Sequence, residues 1–340
     1  MRLKNGREIG NGHKPYIVAE MNSSHNGKVE TAKEMIAAAK ACGCDAVKFQ
    51  SWTADSLYCA DFYEENPIAR RMVERFSLSE DALLELAVYS REIGIDFSST
   101  PYSEAEVDFL VDECRAPFVK IASMDINNLP YLRYIAKKRV PVVLSTGMAD
   151  YEEIEKAARV MEEAGVTDLC ILHCVSLYPV ELAHVNLNNI LMLAEKFPQH
   201  AVGYSDHTIG ATAAGAAVAM GAGLIEKHFT MDNRKNGWDN RMGTEPKEME
   251  KLVRHCHEVY AAMGTRERIV SEDEKKQREK MRRSLVAARD LPIGAELTAK
   301  DIKAKRPGTG ISVADFDKMP GRKLNCFLPK DRMLREEFLQ

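Results

Sequence analysis

Short runs of apolar and β-branched residues recur along the chain, each closing on polar residues. They are YIVAE (16–20), AVKFQ (46–50), IDFSST (95–100), FVKIAS (118–123), VVLSTG (142–147), LCILHC (169–174), AVGYSD (201–206) and LIEKHF (224–229). Between them the apolar spacing turns helical. In VETAKEMIAAAKACG (29–43), Met35, Ile36 and Ala39 share one face and Gly43 is a stop. SEDALLELAVYSREIG (79–94) and DYEEIEKAARVMEEAG (150–165) follow the same pattern, and a last helix is expected from Pro246 to Met263. The helices tend to end on a glycine just ahead of the next run, as a left-handed C-cap favours.

Strands apolar on both faces, each followed by a helix, predict a parallel sheet. Eight such units in about 250 residues predict a closed (β/α)8 TIM barrel. An open doubly wound sheet is the alternative, and no GxGxxG follows the first run to support it. In a barrel, chemistry gathers at the C-terminal ends of the strands. Those ends carry Glu20, Lys48 with Gln50, Ser99 with Thr100, Lys120 with Ser123, Ser145 with Thr146, His173, Ser205 with His207, and Glu226 with His228. All eight are polar, which a purely structural barrel does not need.

After position 263 the pattern changes. Residues 264–280, GTRERIVSEDEKKQREK, are highly charged and read as a solvated linker or surface helix. Residues 281–340 show short strand-like pieces, Pro/Gly turns and no long helical period, predicting a small C-terminal domain of mostly short strands. A domain of about sixty residues is near the lower limit for folding alone and is expected to lean on a partner surface.

Composition narrows the classes. Of 340 residues, 45% are apolar, and 47 basic against 51 acidic residues leave a net charge of −4. That balance supplies no bulk field for nucleic acid or an anionic membrane, although a few local cations can still hold a small anion. The eight cysteines show no CxxC pair, and several lie in apolar runs, as free thiols do in a reducing compartment. The N-terminal stretch MRLKNGREIGNGHKPY has no apolar signal core, and ATAAGAAVAMGAGLI (211–225) is shorter than a membrane span of about 20 residues. The expectation is a cytoplasmic protein that binds neither nucleic acid nor membrane and leaves room for a small anionic ligand.

Two ammonium groups, Lys48 and Lys120, among the hydroxyls of Ser99, Thr100, Ser123, Ser145 and Thr146 suit a ligand carrying phosphate and carboxylate. The competing reading is that each lysine pairs with Glu20 or Glu226. His207 and His228, at the ends of neighbouring strands, are candidate ligands for a divalent ion, and imidazole favours Mn, Fe, Co or Zn over Mg. Two ordinary hydrogen-bonded histidines are the alternative. His25 is a third candidate, and His173 beside Cys174 fits a core histidine equally well. Tyr178, in LYPVE, either lines a sugar site or fills the rim. The stretch NGWDNRMGTEP (236–246) is long for a barrel loop and carries Asp239, as substrate-contacting loops do.

Taken together the motifs resemble the sialic acid synthase family, the N-acetylneuraminate synthases and their relatives for other nonulosonic acids. YIVAEMNSSHNG, AVKFQ, SSTPYS, VKIASMDINNLP, VVLSTGM, ILHCVSLYP, GYSDHTIG and EKHFT occur in family order. RRSLVAARDLPIGAELTAKDIKAKRPGTGIS (282–312) resembles the appended SAF, or antifreeze-like, domain. The resemblance implies condensation of phosphoenolpyruvate with an N-acylated hexosamine and release of phosphate. It implies that Lys48, Thr100, Lys120, Ser123, Ser145 and Ser205 hold phosphoenolpyruvate, and that His207 and His228 carry a divalent ion, Mn first, with Mg or Co as alternatives. It assigns Gln50, Tyr178, Glu226 and Asp239 to the sugar and an acid/base or water-orienting role to Glu20. It sends Arg306 into the barrel of a second copy, in a domain-swapped homodimer.

Two positions depart from the family pattern. Asp125, which the resemblance counts with Glu20, His207 and His228 as catalytic, stands where these synthases carry a glutamate near the enol carbon. Ser176, counted with the phosphoenolpyruvate ligands, stands where an asparagine binds the carboxylate. The phosphoenolpyruvate half is thereby better defined than the sugar half. The rival readings are a 3-deoxy-ulosonate phosphate synthase using a phosphorylated aldose, and a non-catalytic carbohydrate- or anion-binding barrel.

Overall fold

The computed structural model describes residues 1–10, 12–235, 237 and 240–340. The chain divides into two compact units, Met1–Gly264 and Thr265–Gln340.

The first unit holds eight parallel strands: β1 (Tyr16–Glu20), β2 (Ala46–Gln50), β3 (Asp96–Thr100), β4 (Val119–Ile121), β5 (Val142–Ser145), β6 (Leu169–Cys174), β7 (Ala201–Asp206) and β8 (Leu224–His228). Their order is β3-β2-β1-β8-β7-β6-β5-β4. The two outer strands meet through Ser98, whose Oγ donates to the Phe118 carbonyl at 2.8 Å. Helices clothe the outside, so the unit is the (β/α)8 barrel that the alternation predicts.

The helix boundaries follow local chemistry. In Glu80–Ile93 the Ser79 side chain accepts the Ala82 N–H, and Gly94 at φ +75° closes the helix in the left-handed region. Helix Tyr151–Glu163 opens on a capping box between Asp150 and Glu153. Pro246 opens the last barrel helix, Pro246–Met263. An insertion between β2 and β3 adds helices Ala54–Leu57, Ala60–Glu65 and Pro67–Phe76.

The period-two alternation of strands sorts the core. Ile17, Ala19, Val47, Phe49 and Ile225 point outward into the layer beneath the helices. Tyr16, Val18, Ala46, Phe118, Val143, Leu172 and Leu224 point inward, and Leu3 and Ile9 pack against them. The next inward positions along β1, β2 and β8 are Glu20, Lys48 and Glu226, all buried. The barrel interior is therefore apolar at its lower end and ionisable at its upper end. Among the described residues no helix is long and apolar enough to cross a membrane.

In the second unit, helix Glu272–Met281 is charged and exposed, and Ser271 caps it by accepting the Glu274 N–H. Two antiparallel strands follow, β9 (Ser284–Ala287) and β10 (Ile302–Lys305), with Ile302 opposite Ala287 and Lys305 opposite Ser284. Isolated bridges and short 3-10 turns complete the domain. Leu285, Leu291, Leu297, Ile302, Leu324, Leu328 and Leu334 form its own core. Arg306 is exposed on this unit.

Candidate active site

A cavity of about 400 Å³ opens at the C-terminal ends of the barrel strands. Register explains why its floor is charged. Glu20 lies beside Lys48 across β1 and β2, Glu20 beside His228 across β1 and β8, and Ser205 beside Glu226 across β7 and β8. Every inward position at that level meets another ionisable or hydroxyl group.

The contacts are short. Lys48 Nζ lies 2.7 Å from Glu20 Oε2 and donates to Thr100 Oγ1 at 3.0 Å. Lys120 Nζ donates to Ser145 Oγ at 2.7 Å. Glu226 Oε1 stands 3.8 Å from both ammonium nitrogens and accepts from Ser205 Oγ at 3.1 Å. Both lysines thus face the cavity and also pair with carboxylates, so the two readings of their role are compatible. Gln50 Nε2 donates to Glu20 Oε1 at 2.8 Å. Ser123 Oγ accepts the Gly147 N–H at 3.0 Å, and a Cβ at Gly147 would collide with Ser176 and Ser123. Glycine is what lets these two hydroxyls share that wall.

The electrostatics separate the four charges. Burial lifts the Glu20 carboxyl above the usual carboxylate range, against the pull of Lys48. Burial acts likewise on Glu226, but the ammonium groups of Lys120 and Lys48 outweigh it and hold its pKa low. Burial disfavours the Lys48 ammonium, yet Glu20 and Glu226 raise its pKa above the ordinary lysine value. Lys120 goes the other way: burial wins over Glu226 and lowers it. Two carboxyls pushed apart in this way can take opposite proton roles.

The two imidazoles meet at the rim of this floor, with ring centroids 5.3 Å apart and planes at 72°. Tyr178 tilts over His207 at 4.2 Å and stands edge-on to His228 at 5.8 Å. His207 Nδ1 lies 2.7 Å from the Val175 carbonyl. A carbonyl only accepts, so Nδ1 carries a hydrogen and Nε2 is the atom left to ligate a metal. Burial opposes the charged ring, but Cys174 and the Val175 carbonyl outweigh it and raise the His207 pKa, so a metal bound there displaces a proton. Burial, reinforced by His207 and Lys48, holds His228 far below its ordinary pKa, in the neutral form that ligates metals. The pair fits a divalent transition ion. Among the described residues no group of three or more His, Cys, Asp or Glu side chains is placed to hold one. Its other positions would fall to water or substrate oxygens.

The cavity gathers Glu20, Lys48, Gln50, Thr100, Lys120, Ser123, Ser145, Ser176, Tyr178, Ser205, Glu226, His207 and His228. Asp125 is not in its lining. It sits in the 3-10 turn Ser123–Asp125, half-buried, and its Oδ1 accepts from Asn128 at 3.3 Å, while Met124 faces the cavity instead. The catalytic role expected of Asp125 does not follow from this geometry. Asp239 lies outside the described residues. His25 is a turn residue: it accepts the Gly27 N–H at 3.1 Å, and burial lowers its pKa to about 4. His173 bonds the Val185 carbonyl at 2.6 Å and stacks on Tyr204, as a core histidine. Asn22, Trp52, Leu57, Tyr58, Tyr102 and Cys174 also line the cavity and escape the strand-end reading. Asn22, Trp52 and Tyr102 lie two residues beyond strand ends, and that offset is their one signal in the sequence.

A parallel barrel with cations, carboxylates and imidazoles converging at the strand C-termini, followed by a separate small β domain, defines a (β/α)8 enzyme with an appended module. The chain belongs to the NeuB family, whose model matches residues 35–268, and the SAF domain model matches residues 282–340. It is 37% identical over 350 residues to the N,N'-diacetyllegionaminic acid synthase of Legionella pneumophila, covering 97% of this chain and 98% of that one. It is 32% identical to the N-acetylneuraminate-9-phosphate synthase of Mus musculus, covering 100% of this chain and 97% of that one. The crystal structure of N-acetylneuraminic acid synthetase from Leptospira borgpetersenii superposes with TM-score 0.75 at 32% identity, covering 82% of this chain and 94% of that one. The protein is thus an enzyme of the carbon–carbon bond-forming nonulosonic acid synthases.

Proposed function

We propose that the chain condenses phosphoenolpyruvate with the open-chain aldehyde of an N-acylated hexosamine, giving a nonulosonic acid and inorganic phosphate. The observation that carries this reading is the convergence of Lys48, Lys120, Glu20, Glu226, His207 and His228 on one cavity.

The chain's own groups divide the work. Lys48, Lys120 and the hydroxyls of Thr100, Ser123, Ser145, Ser176 and Ser205 take the phosphate and carboxylate oxygens. Gln50, Tyr178, Glu226 and, from the loop after β8, Asp239 take the acceptor. A divalent ion held by His207 and His228, Mn first with Mg or Co as alternatives, supplies Lewis-acid polarisation of the aldehyde oxygen when bound. Carbon 3 of phosphoenolpyruvate forms the new bond to the aldehyde carbon, and carbon 2 becomes electron-poor. Water adds to carbon 2, with Glu20, whose pKa burial raises above the usual carboxylate range, placed to orient it and take its proton. The tetrahedral carbon then expels phosphate by C–O cleavage. Fixed charges where charge develops contribute roughly 3–4 kcal/mol per well-placed donor. Arg306 is assigned to the acceptor of a second copy, which makes the working form a homodimer.

The test is phosphate release from phosphoenolpyruvate with Mn across a panel of unphosphorylated hexosamines, their 6-phosphates and simple aldose phosphates. Release with an N-acylated hexosamine supports the reading. Release only with a simple aldose phosphate would turn it into a 3-deoxy-ulosonate phosphate synthase, and no acceptor-dependent release would sink it.

A further inference from the structure

We infer that Tyr102 is a positioning residue for the water-addition step of the reaction: its hydroxyl orients the Gln50 amide, and that amide orients Glu20. The inference rests on the function proposed above. Tyr102 stands two residues beyond β3, and its OH donates to Gln50 Oε1 at 3.1 Å. With Oε1 so engaged, the other end of the amide faces Glu20, and Nε2 donates to Glu20 Oε1 at 2.8 Å. The same Oε1 accepts the Asn22 N–H at 3.2 Å, while Oε2 faces Lys48 Nζ at 2.7 Å. The carboxyl plane is thereby set from three sides.

The tyrosine is itself held. Its backbone N–H donates to Glu106 Oε2 at 2.6 Å, and its ring stands edge-on to Trp52 at 5.9 Å. The first contact fixes the backbone from which the side chain projects, and the second packs the ring. A glutamine amide has a donor end and an acceptor end on a broad, two-fold terminal torsion. Turned over, it would present oxygen to a carboxylate. An entering sugar hydroxyl competes for the same amide, so a second anchor on Oε1 keeps Nε2 on Glu20 while the acceptor binds. The arrangement is a relay of three side chains from three different loops and strands, and only its last member touches the reacting atoms.

The experiment measures acceptor-dependent phosphate release for the full chain and for Tyr102→Phe, Gln50→Ala and the double variant. Phenylalanine keeps the ring against Trp52, so the melting temperature should stay within a few degrees. Tyr102→Phe should lower kcat about tenfold, the effect of one lost active-site hydrogen bond, with the phosphoenolpyruvate KM within about twofold of the parent. In the double variant the Tyr102 change should cost nothing beyond Gln50→Ala, because both act through one amide. An unchanged kcat, a tenfold loss that simply multiplies with that of Gln50→Ala, or an equal rise in the phosphoenolpyruvate KM would each overturn the inference. An inactive parent chain would instead remove the proposed function, and this relay with it.

Discussion

Replacing Lys227 by methionine tests how the two histidines are held. Asp206 and Lys227 lie on the faces of β7 and β8 that turn away from the cavity, and both are buried, at 0% and 1% exposure. Lys227 Nζ lies 2.9 Å from Asp206 Oδ2 and 2.5 Å from the Thr208 carbonyl. Asp206 Oδ1 accepts from the Thr208 N–H at 2.8 Å and from Tyr204 OH at 3.2 Å. The turn that carries His207 is therefore clamped to the strand that carries His228. Lys227→Met leaves a buried carboxylate without its ion, a loss of roughly 3–5 kcal/mol. At about 2–4 °C per kcal/mol for a domain of this size, the melting temperature should fall by roughly 6–20 °C. Adding Asp206→Asn removes the stranded charge and keeps an acceptor for Thr208 and Tyr204, so the double variant should recover more than half of that loss. Thermal unfolding followed by circular dichroism at one protein concentration decides it. A single variant within about 2 °C of the parent, or a double variant no better than the single, would refute this account of the clamp.

Three further outcomes are expected. Burial holds the Lys120 pKa low while carboxylates hold that of Lys48 high, so Lys120 loses its proton first as pH rises. The phosphoenolpyruvate KM should accordingly climb on the alkaline side below the ordinary lysine range, and Lys120→Arg should push that limb upward; a flat profile counts against Lys120 as the anion's partner. Gly147→Ala drives a methyl into Ser176 and Ser123 and should raise that KM about fivefold or more, the equivalent of 1 kcal/mol of overpacking. Arg306→Ala should raise the acceptor KM and spare that of phosphoenolpyruvate, and mixing it with Glu20→Gln chains should restore activity if the arginine serves a second copy.

The floor of the site was legible because strand alternation is a rigid rule. Once eight parallel strands are recognised, Glu20, Lys48, Glu226 and His228 must point inward together. Register was not legible, and register is what sets Glu20 against Lys48 and decides the pairing of lysines and carboxylates that the sequence left open. The aromatic wall was missed for a different reason. Trp52, Leu57 and Tyr58 lead into or belong to the helical insertion after β2, and where an insertion folds depends on contacts distant in sequence. Asp125 shows the limit of motif transfer: a single 3-10 turn at Ser123–Asp125 carries the carboxylate to Asn128 and offers Met124 in its stead.

Because β7 and β8 place Ser205, Glu226 and His228 on one side and Asp206 and Lys227 on the other, a single residue inserted or deleted at the start of β8 would exchange the faces of Glu226 and Lys227. A cation would enter where a carboxylate belongs, and the outer clamp would dissolve in the same stroke. These strands can accept substitution but not a change of length. Length is cheap instead in the segment after β8 and the helical excursion after β2, which lie outside the ladder, so the rim of the cavity can change its reach while the depth of its charged floor stays fixed by the strands.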